Sequence, residues 1–211
     1  MKRGSLIAVG VVVVVLILLV APIVSSYNRL VSRSQAVDAQ WAQVENVYQR
    51  RADLVPNLVA TVQGAANFER STITEVTNAR ASVGRVQVNA GDVPADPQAF
   101  ARFQAAQDAL SSALSRLLVV VERYPDLKAT QNFRDLQAQL EGTENRIAVE
   151  RRRFNQVGLE YNTAIKRFPA TLLAGMFGFD DKAYFRAQEG AERPPPVQFD
   201  FQSPVPTPTR T

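Results

Sequence analysis

From Leu6 to Val24 the chain is an almost pure run of Leu, Ile, Val and Ala, and no charged residue lies between Gly4 and Asn28. About 20 apolar residues carry a helix across the hydrocarbon core of a bilayer, so this run is expected to span one. Beyond it the pattern changes. Leu30, Val37, Trp41, Val44, Tyr48, Val55, Leu58 and Val62 fall on alternating spacings of three and four, with Ser34 and Arg51 as the polar steps. That is the stripe of a helix packed against other helices. It predicts a first helix that leaves the membrane unbroken. A kink is expected at Pro56, where the ring removes a hydrogen bond and crowds the preceding turn. The pattern runs on through Phe68, Ile73 and Val76 and fades near Val83 and Gly84.

Residues 88–97 are turn-formers and predict the first true loop. Asp96 is placed to cap the next helix, with Pro97 at its first position. Phe100, Phe103, Gln107, Leu110, Leu114, Leu117 and Val121 then repeat the stripe up to Tyr124-Pro125. A third long helix is the most regular. Phe133, Leu140, Ile147, Phe154, Tyr161 and Phe168 recur every seven residues, with Leu136, Thr143, Glu150, Val157 and Ala164 at the companion seam position. Such a sustained heptad implies left-handed packing against neighbours, and Pro169 ends it. The apolar stretch Leu172–Phe179 is too short to span a bilayer. It is expected to pack on the bundle, the alternatives being a partner or the membrane surface. Six of the twelve prolines fall in the last 18 residues, which predicts an extended or disordered tail.

The order of domains that follows is a short tail (1–5), a membrane anchor (6–24), a helical bundle (25–186) and a Pro-rich tail (187–211). The competing reading of the start is a cleaved signal peptide, whose apolar region is usually about 7–15 residues long. The run here is longer, and Pro22 sits at the nearest exit, beside Ala21 and Ser25-Ser26. Retention as an anchor is therefore expected. Flanking Lys and Arg mark the cytoplasmic side of a span. Lys2 and Arg3 precede it while Arg29 and Arg33 follow it. The tight N-terminal grouping tips the expectation towards a bundle on the non-cytoplasmic side.

Composition removes several chemistries. The chain has no His and no Cys, so it lacks the usual zinc ligands and offers neither imidazole nor thiol catalysis. It has no Gly-rich phosphate loop and no nucleophile motif, and no cofactor is expected. Lys and Arg number 24 against 20 acids, a net charge of +4. With the signs interleaved and no recognition motif present, a solvated helical surface is expected and nucleic acid is not.

Several segments become recognisable together once the helices are placed. They are Tyr27-Asn28-Arg29-Leu30-Val31, Arg50-Arg51-Ala52-Asp53-Leu54-Val55-Pro56-Asn57-Leu58-Val59, Tyr124-Pro125-Asp126-Leu127-Lys128-Ala129 and Glu141-Gly142-Thr143-Glu144-Asn145-Arg146-Ile147. Phe154-Asn155, Tyr161-Asn162, Phe168-Pro169, Gly178-Phe179 and Tyr184-Phe185 extend the series. In this order behind an apolar N-terminus, the chain resembles the LemA family of bacterial membrane proteins over about residues 5–201. The resemblance implies an all-α fold, with a transmembrane helix continuing into an elongated antiparallel up-and-down bundle. It implies no reaction. Relatives are associated with other membrane proteins, including a membrane protease and proteins with a TPM-type domain, and one branch with magnetosome membrane formation.

The expected function is a membrane-anchored scaffold or adaptor of the bacterial envelope, with homo-oligomerisation open. The alternative is a solute-binding or transport-accessory receptor with a polar cavity between helices. The candidate interaction residues are Arg51, Asp53, Asn57, Glu144, Asn145, Arg146 and Glu150. Glu141 and Glu144 share a helical face, but nothing in the sequence builds a pocket for acid–base work. Gly142 between them is expected to admit a close helix neighbour. Arg51 and Glu150 both interrupt apolar seams, and they are expected either to pair or to leave Glu150 at the wet edge of its seam. Glu150-Arg151-Arg152-Arg153 reads as an ordinary solvated face rather than a lipid or RNA patch.

Overall fold

The computed structural model describes residues 3–64, 68–87 and 93–186, and among these residues it holds helices and their connections but no strand. Helix α1 spans Arg3–Gln63, α2 Arg70–Gln87, α3 Pro97–Val121, α4 Pro125–Lys128, α5 Gln131–Ile165 and α6 Ala170–Phe177. The long helices alternate in direction. Arg33 of α1 meets Glu160 of α5 while Arg51 meets Glu144, an antiparallel pairing. Arg116 and Arg123 of α3 meet Glu75 and Glu69 of α2 in the same sense. Trp41 packs on Phe100 and Phe103, and Tyr48 on Phe103, so α1 and α3 run parallel. The result is an up-down-up-down bundle on one very long first helix.

The α1 stripe is the core. Leu30, Val37, Trp41, Val44, Tyr48, Val55, Leu58 and Val62 are all buried, and so is every member of the α3 stripe, Gln107 included. The heptad residues of α5 from Phe133 to Tyr161 are buried with them. Two apolar clusters result. One, around Trp41, Phe100, Phe103, Phe154 and Phe185, fills the half nearer the apolar N-terminal run. The other, around Leu58, Val76, Leu114 and Leu140, fills the far half. By contrast, Val9 and the large apolar residues from Val11 to Val20 are exposed. Among the described residues one helix, α1, is long and apolar enough to cross a membrane, and no part of the bundle covers its apolar window.

The first break comes earlier than the pattern predicts. The chain leaves the helix at Gly64 and resumes at Arg70, so α1 and α2 form a hairpin where one continuous helix is expected from the sequence. The reason lies in the spacing. Val62, Val76 and Val83 keep the heptad phase across the turn, and each is buried. Periodicity alone cannot distinguish two arms in phase from one helix.

Pro56 does not interrupt α1. Having no N–H, it leaves the carbonyl of Ala52 without its helical donor. Arg80 of α2 supplies one instead, Nε donating to the Ala52 oxygen at 3.0 Å. The hairpin therefore satisfies the group that proline orphans.

Asp96 caps α3 as expected, its side chain accepting from Gln98 N, with Pro97 following. Residues 88–92 of the expected loop and the tail 187–211 lie outside the described residues. Thr130 caps α5, accepting from Phe133 N at 3.4 Å. That helix ends at Ile165, before Phe168, and Phe168 is exposed rather than seated in the seam.

Candidate functional site

Arg51 is a fully buried charged side chain, 1 % exposed, and lies where three helices meet. Its Nη1 donates to Ser111 Oγ at 2.6 Å and to Glu144 Oε1 at 3.0 Å. Its Nη2 donates to the Gln107 carbonyl at 3.1 Å and to Gln107 Oε1. The guanidinium also lies over the Tyr48 ring, 5.0 Å from its centre. An arginine keeps its charge in any protein environment, so burial requires this many partners. Arg51 Nε and Gln107 Nε2 are buried without a partner among the described residues.

The sequence leaves Arg51 and Glu150 either paired or with Glu150 at the wet edge of its seam, and neither holds: Arg51 pairs with Glu144, and the Glu150 side chain is only 15 % exposed. Glu150 is one and a half turns further along α5, where Oε2 accepts from Gln40 at 2.6 Å and Oε1 from Arg153 at 2.8 Å. Glu144, outside the buried stripe, takes its place: the register of α5 against α1 sets it opposite Arg51, where one oxygen reaches the guanidinium while the side chain stays 39 % exposed. The sequence signal was present in the Glu144-Asn145-Arg146 segment but carried no information on register.

The other candidates are not brought together at this point. Asp53 is exposed and accepts from Gln49 at 2.7 Å. Asn57 is exposed, and its carbonyl accepts from Thr61 Oγ1 at 2.8 Å. Asn145 and Arg146 are exposed. Asn145 joins Ser111, Ser115, Glu141 and Glu144 in lining a groove of about 380 Å³ between α3 and α5, beside the Arg51 network. Gly142 does not serve a close contact, since a Cβ there would meet nothing within 4 Å. Arg151, Arg152 and Arg153 diverge. Arg151 lies 4.6 Å over the Phe185 ring and 3.8 Å from Asp108, Arg153 turns to Glu150, and Arg152 is exposed.

A second polar device was not anticipated. Residues 179–186 run extended along α5 and α3. Asn162 Oδ1 accepts from Lys182 N at 2.8 Å, and its Nδ2 donates to the Lys182 carbonyl and the Tyr184 hydroxyl, both at 2.8 Å. Asn155 does the same to Phe185, at 2.9 Å in each direction. Seven helical residues advance about 10.5 Å, and three extended residues about 10 Å, so the two amides match the strap's rise. Gly158 lies between them, and a Cβ there would come within 3.3 Å of the Tyr184 ring. The repeated aromatic-Asn pairs at heptad spacing, Phe154-Asn155 and Tyr161-Asn162, were the available signal.

Three titratable groups in the bundle are perturbed. Burial raises Tyr161 to about 12, with Asp180, Asp38 and Asp181 adding in the same direction. Burial also raises Tyr48, against the pull of Arg151 and Arg51. Glu45 is raised by burial despite a hydrogen bond from Trp41.

At the far end, Ala60, Thr61, Gly64, Tyr124, Asp126 and Asn132 line a groove of about 700 Å³. The Tyr124 ring lies tilted against Phe68 with centres 5.0 Å apart, and Leu127 is buried. The Tyr124-Pro125-Asp126-Leu127 segment thus forms the corner between α3 and α5.

The chain is similar in sequence to known proteins. The model of the LemA family matches residues 40–199. Magnetosome protein MamQ of Magnetospirillum gryphiswaldense is 26 % identical over 98 % of this chain and 82 % of its own length. Magnetosome protein MamQ 2 of Paramagnetospirillum magneticum is 26 % identical over 91 % of this chain and 76 % of its own. Protein LemA of Metamycoplasma hominis is 22 % identical over 77 % of this chain and 69 % of its own. With a family match across most of the bundle, and the apolar helix leading into it, the chain belongs to the LemA family.

Proposed function

We propose that this protein is a non-catalytic scaffold or adaptor of the bacterial cell envelope. Its single span fixes it to the membrane, and its bundle presents surfaces to other membrane proteins or to further copies of itself. The observation that carries this reading is the continuity of α1. The helix runs unbroken from the apolar run to Gln63, and the 39 residues beyond Val24 make about 58 Å at 1.5 Å each. The far groove beside Tyr124 and Asn132 is thereby held at a set height from the bilayer. Relatives named as magnetosome proteins support a role tied to a bacterial membrane system. The grouping of Lys2 and Arg3 favours the bundle on the non-cytoplasmic side.

Photo-crosslinking tests the reading. A benzophenone residue at Asn132, in the far groove, is expected to give a discrete adduct with a membrane protein or a second copy in intact cells. The same probe at Arg152, on the flank, serves for comparison. Absence of an adduct at both positions, with the protein expressed and inserted, overturns the scaffold.

A second reading, a receptor for a small polar solute, is favoured by the groove of about 380 Å³ in which Ser111, Ser115, Glu144 and Asn145 surround the mouth of the Arg51 network. It predicts a solute that raises the unfolding temperature of the full chain, and loss of that rise in Ser115→Leu.

A further inference from the structure

The base of the bundle carries apolar and basic groups that the fold leaves unused. Helix α6 buries Leu173 and Ala174 but turns its other side outwards. Leu172 is 61 % exposed, Met176 76 % and Phe177 56 %, and Phe168 just before the helix is 81 % exposed. Gathered at one end of the molecule, they are unlike the isolated surface leucines and valines that any protein shows.

The position of this patch along α1 is set by Tyr27. The Tyr27 ring packs edge-on against Phe177 at 5.0 Å and against Phe179 at 5.9 Å. Tyr27 lies three residues past Val24, about 4.5 Å along the helix axis, and Arg29 lies about 7.5 Å along it. The headgroup layer on each face of a bilayer is about 5–7.5 Å thick. Tyr27, Arg29 and α6 therefore share the depth of the lipid headgroups, where aromatic side chains concentrate.

Charge points the same way. Beside α6, a groove of about 360 Å³ is lined by Ser26, Arg29, Arg33, Leu159, Arg167 and Phe168, among others. Arg33 is paired with Glu160 at 3.3 Å. Arg29 and Arg167 have no acidic partner among the described residues. Arginine forks bind phosphate oxygens in pairs, and juxtamembrane cations are drawn to anionic lipid. An apolar face with two unpaired arginines at its edge is the composition of an interfacial helix.

We propose that α6 and Phe168 dock into the same bilayer that α1 spans, with Arg29 and Arg167 holding the phosphate of an anionic phospholipid. The bundle is then attached at two points, and its tilt is fixed as well as its location. This rests on Leu6–Val24 being a membrane span. It is independent of the scaffold reading.

The test uses the full chain, which has no native cysteine. Met176→Cys carries a nitroxide label in vesicles of phosphatidylcholine, with or without phosphatidylglycerol. Ile17→Cys, in the span, and Arg152→Cys, on the bundle flank, provide the references. Collisions with oxygen and with a water-soluble nickel chelate report depth. The label at Met176 is expected to favour oxygen, as at Ile17, and more so when phosphatidylglycerol is present. Arg29→Gln and Arg167→Gln are each expected to lower the ratio of docked to free label about fivefold in the anionic vesicles. Nickel access at Met176 equal to that at Arg152, with Ile17 shielded, overturns the docking while leaving the span intact. Equal depth in both lipid mixtures overturns the assignment to an anionic phospholipid. Nickel access at Ile17 overturns the span and the proposal with it.

Discussion

The Arg51 network makes a quantitative prediction about two carboxylates on one helix. Glu144→Ala removes a charge-assisted hydrogen bond, the kind that contributes about 1.5–3 kcal/mol. The Glu144 side chain is 39 % exposed, so water takes over part of its role and about 1–2 kcal/mol remains. Arg51→Met keeps most of the side-chain volume but leaves Gln107 Oε1 buried without a donor, a cost of about 1–3 kcal/mol. With methionine at 51, Glu144 has nothing to neutralise, and its removal should be nearly neutral. The double-mutant cycle should therefore show a coupling of about 1–2 kcal/mol. The assay is urea unfolding of the full chain in detergent, followed by the fluorescence of Trp41, the single tryptophan, buried in the bundle. At this size a change of 1 kcal/mol also moves the midpoint temperature by about 2–4 °C. Glu150→Ala is the control and should be additive with Arg51→Met, because Glu150 bonds Gln40 and Arg153 instead. Coupling of Arg51 to Glu150 in place of Glu144 would refute the register described above.

Three further outcomes are expected. Asn162→Ala removes three hydrogen bonds that hold the strap, so tryptic cleavage after Lys182 should accelerate at least tenfold while the helical circular dichroism is retained. Gly142→Ala should raise stability by about 0.5–1 kcal/mol, since alanine suits a helix better and nothing obstructs the methyl group. In Gly158→Ala that gain should disappear, because Tyr184 must yield at 3.3 Å, and chemical denaturation compares the two. Tyr161 stays protonated in the fold to about 12, whereas in the unfolded chain it ionises near 10. The native state then holds the extra proton, and stability should be intact below about pH 10 and fall as pH rises towards 12, by about 1–2 kcal/mol once solvent screening of the hydroxyl is allowed for. Tyr161→Phe should flatten that limb of the stability curve, although Tyr48, also raised, will leave a remainder.

What could be read from the chain and what could not divide along a physical line. Helix faces were legible because burial repeats with the helix period. The buried stripes of α1, α3 and most of α5 are the apolar positions of the sequence, and the Asp96-Pro97 start of α3 is local chemistry. The hairpin at residue 64 was hidden because Val62, Val76 and Val83 stay in phase across it, and that phase outweighed the one local stop signal, Gly64. Phe168 continues the heptad in sequence, but the helix ends at Ile165 and leaves it outside the core. The polar sites were the least legible. Arg51 stood out as a charge in an apolar seam, yet whether Glu144 or Glu150 reaches it depends on the axial offset between α1 and α5. That offset is a property of how whole helices nest, and no single residue encodes it. The two asparagines of α5 likewise acquire their role only when a strap of matching rise lies beside them. Sequence determines which face of each helix turns inwards, since that follows from local periodicity. Tertiary structure alone decides which residue on one helix stands opposite which on the next.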